Sequence, residues 1–156
     1  MFREMRRSDK LKTLEENVEI LNTCTNGVIS VNGDGGYPYG VPVSYVYDNN
    51  RIIFHCALTG HKLDSIKKDP KVSFCVIGAD EINSKEFTTL YKSVICFGKA
   101  RIVESDREKE EILKKIITKY SVDFYEGGMD YIKQMWEKTA CVVVDIEYMT
   151  GKGLAK

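Results

Sequence analysis

Residues 37–47 read Tyr-Pro-Tyr-Gly-Val-Pro-Val-Ser-Tyr-Val-Tyr, and residues 51–62 read Arg-Ile-Ile-Phe-His-Cys-Ala-Leu-Thr-Gly-His-Lys, with a polar Asp48-Asn49-Asn50 turn between them. A β-rich run thus folds back through a hairpin, ends at Cys56, and gives way just after Gly60 to a helical pattern carrying Leu63 and Ile66. Pro70 then leads into a further apolar run over residues 72–77. Proline has no N–H for a ladder bond, so a strand holding both Pro38 and Pro42 belongs at a sheet edge. Val41, Val43 and Tyr45 alternate with Pro42 and Ser44, which puts apolar side chains on one face and Ser44 on the other.

The strand-to-helix junction carries the first functional hypothesis. Free N–H groups at a helix start, together with the positive end of the helix dipole, suit an anion, most often a phosphate. Thr59, Gly60, His61 and Lys62 supply a hydroxyl, a residue without Cβ and two potential cations at that point. The competing reading is an ordinary loop in which Gly60 makes a turn and Lys62 is solvated.

Outward from this stretch, the chain reads as one domain over residues 1–156, with an arm and helix over 1–24 and a polar tail over 150–156. Ser8-Asp9 is a candidate helix cap, followed by a stripe of Leu11, Leu14, Val18 and Leu21. Residues 27–31 form a short strand, and the glycines of Asn32-Gly33-Asp34-Gly35-Gly36 suit a turn. Residues 79–86 read as a polar loop, and 87–104 as a long strand with a bulge or close approach at Gly98. Ser105 and Glu108 have capping-box spacing before a helix whose stripe is Ile112, Leu113, Ile116, Ile117 and Tyr120. Gly127-Gly128 reads as a break, residues 129–138 as a short helix, and 140–146 as a closing strand. Six or so hairpin-joined strands with three helical insertions argue for an α+β, mainly β architecture: an antiparallel six-stranded split β-barrel with peripheral helices.

Lys plus Arg equals Asp plus Glu, 23 each, so no overall field draws the chain to nucleic acid or an acidic membrane. No apolar run approaches the roughly 18 residues of a membrane span, and the first residues lack the core of a signal peptide, so a cytoplasmic location is expected. Five widely spaced cysteines read as reduced thiols, and the two histidines have no ligand-spaced partners for a metal. No Gly-x-Ser-x-Gly elbow is present. Cys56 beside His55 makes no nucleophilic couple, because strand neighbours point to opposite faces. An apolar groove and an anion cradle without a catalytic set favour a cofactor that brings its own chemistry, with Val43, Tyr45 and Phe54 available to a planar ring.

The chain resembles the FMN-binding split-barrel superfamily, the pyridoxamine 5′-phosphate oxidase-like proteins, and within it the nitroimidazole-resistance (Nim-type) flavoproteins. The resemblance rests on an ordered set over residues 25–152: Gly40-Val-Pro-Val-Ser-Tyr45; Ile52-x-Phe-His-Cys-Ala-x-x-Gly-x-Lys62; Ser93-Val-x-x-x-Gly-Lys-Ala100; and Lys138-Thr-Ala-Cys-Val-Val-Val-Asp-Ile-Glu-x-Met-Thr-Gly-Lys152. It implies FMN as cofactor, with Val41, Pro42, Val43, Ser44 and Tyr45 lining the ring, and Phe54, His55, Cys56 and Ala57 passing beneath ring and ribityl chain. It further implies that Gly60, His61 and Lys62 hold the phosphate, and that Ser93 stands where the oxidase branch carries a glutamine bonded to the flavin. A homodimer with flavins between subunits is implied, Trp136 and Thr150-Gly151-Lys152 being candidates for the partner's wall; Trp136 reads equally well as core.

The implied activity is FMN-dependent reduction of a small acceptor such as a nitroaromatic, with NAD(P)H or another reductant and His55 near the substrate. The alternative is a non-catalytic flavin or haem binder on the same fold. Two departures set the chain apart from the oxidase itself. His61 replaces the usual phosphate-binding arginine, and the oxidase's C-terminal arginine-bearing substrate motif has no counterpart here.

Overall fold

The computed structural model describes residues 1–154. One seven-stranded, wholly antiparallel sheet runs in the order β2-β1-β5-β6-β7-β4-β3. Its strands are β1 (Asn26–Asn32), β2 (Pro38–Ser44), β3 (Val46–Tyr47), β4 (Arg51–Ala57), β5 (Lys71–Asn83), β6 (Thr88–Ile102) and β7 (Thr139–Gly153). The helices are α1 (Leu14–Thr23), α2 (His61–Lys68), α3 (Asp106–Tyr120) and α4 (Tyr125–Met135). No described helix is long and apolar enough to cross a membrane.

The two strands at opposite ends of this order, β2 and β3, are separated in the chain by Tyr45 alone. Covalent continuity therefore rolls the sheet until its edges meet at that residue. Elsewhere β2 pairs only with β1, and β4 pairs with β3 at Ile52 and Ile53 only, so the barrel is split along the facing edges of β2 and residues 54–57. Seven strands stand where six were expected, because the run over residues 37–47 is broken in two at Tyr45. Both prolines lie on the edge strand β2, as their missing N–H requires.

Tyr45 is 0% exposed, and its hydroxyl donates to the Leu21 carbonyl at 2.7 Å. Its backbone N–H donates to the Tyr120 hydroxyl at 2.9 Å, which in turn lies in reach of the Tyr45 and Thr25 carbonyls. Lys119 Nζ donates to the carbonyls of Cys24, at 2.6 Å, and Tyr45, at 3.1 Å. The end of α3 thus satisfies backbone groups that the strand break leaves without a ladder partner.

One core fills the barrel, around Ile29, Phe54, Phe74, Val76, Val94 and Val142. A second lies between the outer side of β4 and β7 and the α3–α4 layer, around Ile53, Ile112, Leu113, Ile132, Cys141 and Val143. Burial on both sides explains why residues 140–144 are uninterruptedly apolar. Trp136 packs against this second core, with Lys109 Nζ 4.5 Å from its ring centroid and donating to its carbonyl.

Several local expectations are corrected. Helix α1 starts at a Thr13–Glu16 capping box, whereas Ser8–Lys10 is one 3-10 turn. The buried face is Asn17, Ile20 and Leu21, Leu11 precedes the helix, and both Leu11 and Leu14 are exposed. Residues 79–83 continue β5 past a bulge and pair with 88–92, shrinking the expected loop to a tight turn. Gly127 and Gly128 lie inside α4, where a Cβ on Gly128 would come within 2.8 Å of the Ile117 side chain, so the glycine permits close helix packing. Thr150, Gly151 and Lys152 belong to β7, Lys152 pairing with Ser93; Ala155 and Lys156 of the expected tail lie outside the described residues.

Replacing Tyr120 by Phe leaves the Tyr45 N–H without a partner, while the Tyr45 carbonyl keeps Lys119. Chemical denaturation should show a loss of about 1–3 kcal/mol, against less than about 0.5 for the exposed Leu14→Ala. Equal, small losses would show that the corner is held by something else.

Candidate functional site

β4 runs directly into α2 through a sharp reversal at Gly60, whose φ of 145° and ψ of 167° lie in a region effectively open to glycine alone. The first backbone bond of α2 runs from the Asp64 N–H to the Gly60 carbonyl. The N–H groups of His61, Lys62 and Leu63 therefore precede the helical ladder. An ideal Cβ on Gly60 would meet nothing within 4 Å, so the space before these groups is open. Among the described residues, the Lys62 ammonium has no carboxylate within ion-pair distance; it lies 5.7 Å from the centroid of the Phe54 ring.

His61 is otherwise engaged. Its Nε2 accepts from the Asp34 N–H at 3.2 Å, its ring stacks on Tyr39 at 4.1 Å, and the Asp34 carboxylate lies 3.8 Å away. An anion at this helix start would meet the His61 backbone N–H and the Lys62 ammonium, not the imidazole.

The remaining expected site residues divide between two faces. Tyr45 and Phe54 are 0% exposed and belong to the barrel core, so their side chains offer nothing to a bound ring. Val41, Val43 and Cys56 are half-buried and pack against that core. Pro42, Ser44, His55 and Ala57 are exposed on the outer side. Burial pushes the Cys56 thiol up, an effect that Lys62 offsets only in part. Ser93 shares the outer face of β6 and pairs with Ile77 and Lys152. It is three strand steps from β2 in the sheet order, roughly 14 Å at about 4.8 Å per step. One chain thus brings together the β2 edge, the end of β4 and the start of α2; Ser93 lies on β6, three strands from β2 one way round the sheet and two from β4 the other.

On the outer side, Ser44 and His55 open onto a cavity of about 390 Å³ walled by α3 and α4, with Leu113, Ile116, Ile117, Ile132 and Met135 in its lining. Sequence reasoning assigned the α3 stripe to core alone. A hint lay in its width, since Ile112, Leu113, Ile116 and Ile117 cover more of the helix than one seam requires. Although His55 keeps a solvent-exposed side, partial desolvation against the α3–α4 layer lowers its pKa from the ordinary 6.5, so the ring is largely neutral at pH 7, with one nitrogen to donate and one to accept.

A family model described as pyridoxamine 5′-phosphate oxidase matches residues 13–153. No curated protein matches the chain by sequence. Among solved structures, the chain is similar to a Bacteroides thetaiotaomicron protein provisionally assigned to 5-nitroimidazole antibiotic resistance, with a TM-score of 0.81 at 20% identity over 92% of this chain and 85% of that one. It is also similar to an FAD-binding protein from Mycobacterium smegmatis (TM-score 0.66, 19% identity, 94% and 98% covered). A second protein of that organism, which binds FAD and haem, aligns with TM-score 0.73 at 15% identity over 92% of this chain and 73% of the other. At such identities the likeness to these structures is one of fold.

Partial desolvation holds the His55 ring below its ordinary pKa. In the unfolded chain the ring protonates near 6.5, whereas the folded chain takes up that proton only at lower pH, so the contribution of His55 to stability falls as pH drops below about 6.5. A titration of the His55 ring protons by NMR should give a midpoint below 6.5; a midpoint at or above it would contradict the desolvated setting.

The match over residues 13–153, together with the split-barrel fold, shows that this chain belongs to the pyridoxamine 5′-phosphate oxidase family.

Proposed function

We propose that the chain binds FMN along the split of the barrel and works as a flavin-dependent oxidoreductase acting on a small acceptor such as a nitroaromatic compound. The observation that carries the reading is the start of α2. Three N–H groups ahead of the ladder, an unobstructed Gly60 and a Lys62 without a carboxylate partner form a donor set that fits a terminal phosphate. One cation at the cradle favours the phosphate monoester of FMN over a pyrophosphate.

Within this reading, Lys62 and the His61 and Lys62 N–H groups hold the phosphate, while Gly60 gives it room. The facing edges of β2 and residues 54–57 offer unpaired backbone donors and acceptors to the polar side of a flat ring. FMN, when bound, supplies hydride or single-electron transfer. Neutral His55 on the outer side donates one hydrogen bond or accepts another from an acceptor molecule, and the α3–α4 layer screens that space from water. NAD(P)H is the simplest reductant, and a non-catalytic flavin binder is the reading that its failure to bleach the flavin would leave.

A homodimer belongs to the same proposal. On the outer face of β2-β1-β5-β6, Val28, Ile95 and Phe97 are exposed by 37, 39 and 38%, with Phe2 stacked on Phe97. In register they follow Pro42, Val28, Cys75 and Ile95 across the sheet. Burying this band against a second copy would also bring Ser93, on the same outer face, to the subunit boundary.

The purified protein should show paired flavin bands, heat should release FMN, and light scattering should give twice 17.8 kDa. Lys62→Ala should weaken FMN binding by about tenfold or more, the scale of a lost charge-assisted bond. A colourless protein that takes up no added FMN would overturn the reading.

A further inference from the structure

We propose that the cavity between α3, α4 and the outer side of β4 is a binding site for a small, uncharged, ring-sized molecule that directs one polar substituent at His55 and Ser44. The cavity, about 390 Å³, lies in the range of small-molecule pockets. Its walls are Leu113, Ile116, Ile117 and Ile132, with Met135 and Tyr131 toward solvent, and no Asp, Glu, Lys or Arg lines it. A charged ligand would lose its hydration there with nothing to replace it.

Two of the polar side chains in its lining are already committed. The Tyr120 hydroxyl serves the Tyr45 and Thr25 backbone, and Thr139 Oγ1 donates to the Met135 carbonyl at 2.9 Å. His55 has no hydrogen-bond partner among the described residues and is neutral at pH 7, so together with the Ser44 hydroxyl it is free to read a nitro, carbonyl or hydroxyl substituent. Ile116, Ile117 and Met135 stay only half-buried and Tyr131 is exposed, which leaves apolar surface in water that a ligand would cover.

The site stands apart from the phosphate cradle: Lys62 lies near the inward-facing Phe54, whereas the cavity takes in the outward-facing His55. Ser44 and His55 also belong to the stretches proposed to flank the flavin, so as the acceptor's site the cavity rests on that reading, while binding of the small molecule itself does not need the phosphate cradle.

Equilibrium dialysis of the purified protein against 4-nitrotoluene and its anionic counterpart 4-nitrobenzoate tests it. The expected result is at least about tenfold tighter binding of 4-nitrotoluene, as an unpaired carboxylate in an apolar site demands. Ile116→Trp, which fills the cavity, and Ser121→Trp, at its exposed rim, should each weaken 4-nitrotoluene at least about tenfold while FMN affinity stays unchanged; Ser121→Trp decides the matter if Ile116→Trp does not fold. Lys62→Ala should leave 4-nitrotoluene binding intact even where it abolishes FMN binding. Equal binding of the two probes, indifference to the tryptophans, or displacement of 4-nitrotoluene by FMN would overturn the proposal.

Discussion

The closing of the barrel at Tyr45 is the constraint on which the rest depends. A seven-stranded sheet has two edges, and here a single residue joins them, so the strand that ends one edge begins the other. That residue cannot keep ladder bonds on both sides, and its backbone is held instead by Tyr120 and Lys119 from the end of α3, while its hydroxyl is tied to the end of α1 at Leu21. A helix far away in sequence is thereby fixed against the outer face of β4. The same pin that holds the edges together at one point leaves them apart below it, and that gap is where backbone groups remain free.

The chain divides its labour between the two sides of β4. Inward, Ile52, Phe54 and Cys56 join the barrel core; outward, Ile53 supports the helical layer and His55 opens onto its cavity. Because α2 leaves from the end of the same strand, the proposed phosphate cradle and the apolar cavity sit near each other without sharing side chains. The neutral overall charge fits this plan, since attraction for an anion must then come from local groups such as those proposed at Lys62 and the adjacent amides.

Much of this was legible in the sequence because it follows from backbone chemistry. Pro38 and Pro42 mark an edge strand through their missing N–H, Ser105 caps α3 by accepting from Glu108, and Gly60 reverses the chain where glycine is required. What sequence leaves open is which apolar residues face a ligand and which face a core, as Tyr45 and Phe54 show. The His61 imidazole is invisible as a turn contact until the Gly33–Asp34 loop is folded beside it. Capping spacing alone did not separate Ser8 from Thr13, and Gly127-Gly128 reads as a break until Ile117 is seen against Gly128. The cavity of α3 and α4 depends on how two helices meet a strand from another part of the chain, which no local pattern encodes.

The most direct measurement of the central claim is hydrogen–deuterium exchange with and without FMN. The account predicts slowed exchange on adding FMN at the amides of residues 61–63 and along the β2 edge around Val41, Val43 and Ser44. Unchanged exchange at these amides, with protection elsewhere or nowhere, would contradict a flavin held between the split and the start of α2.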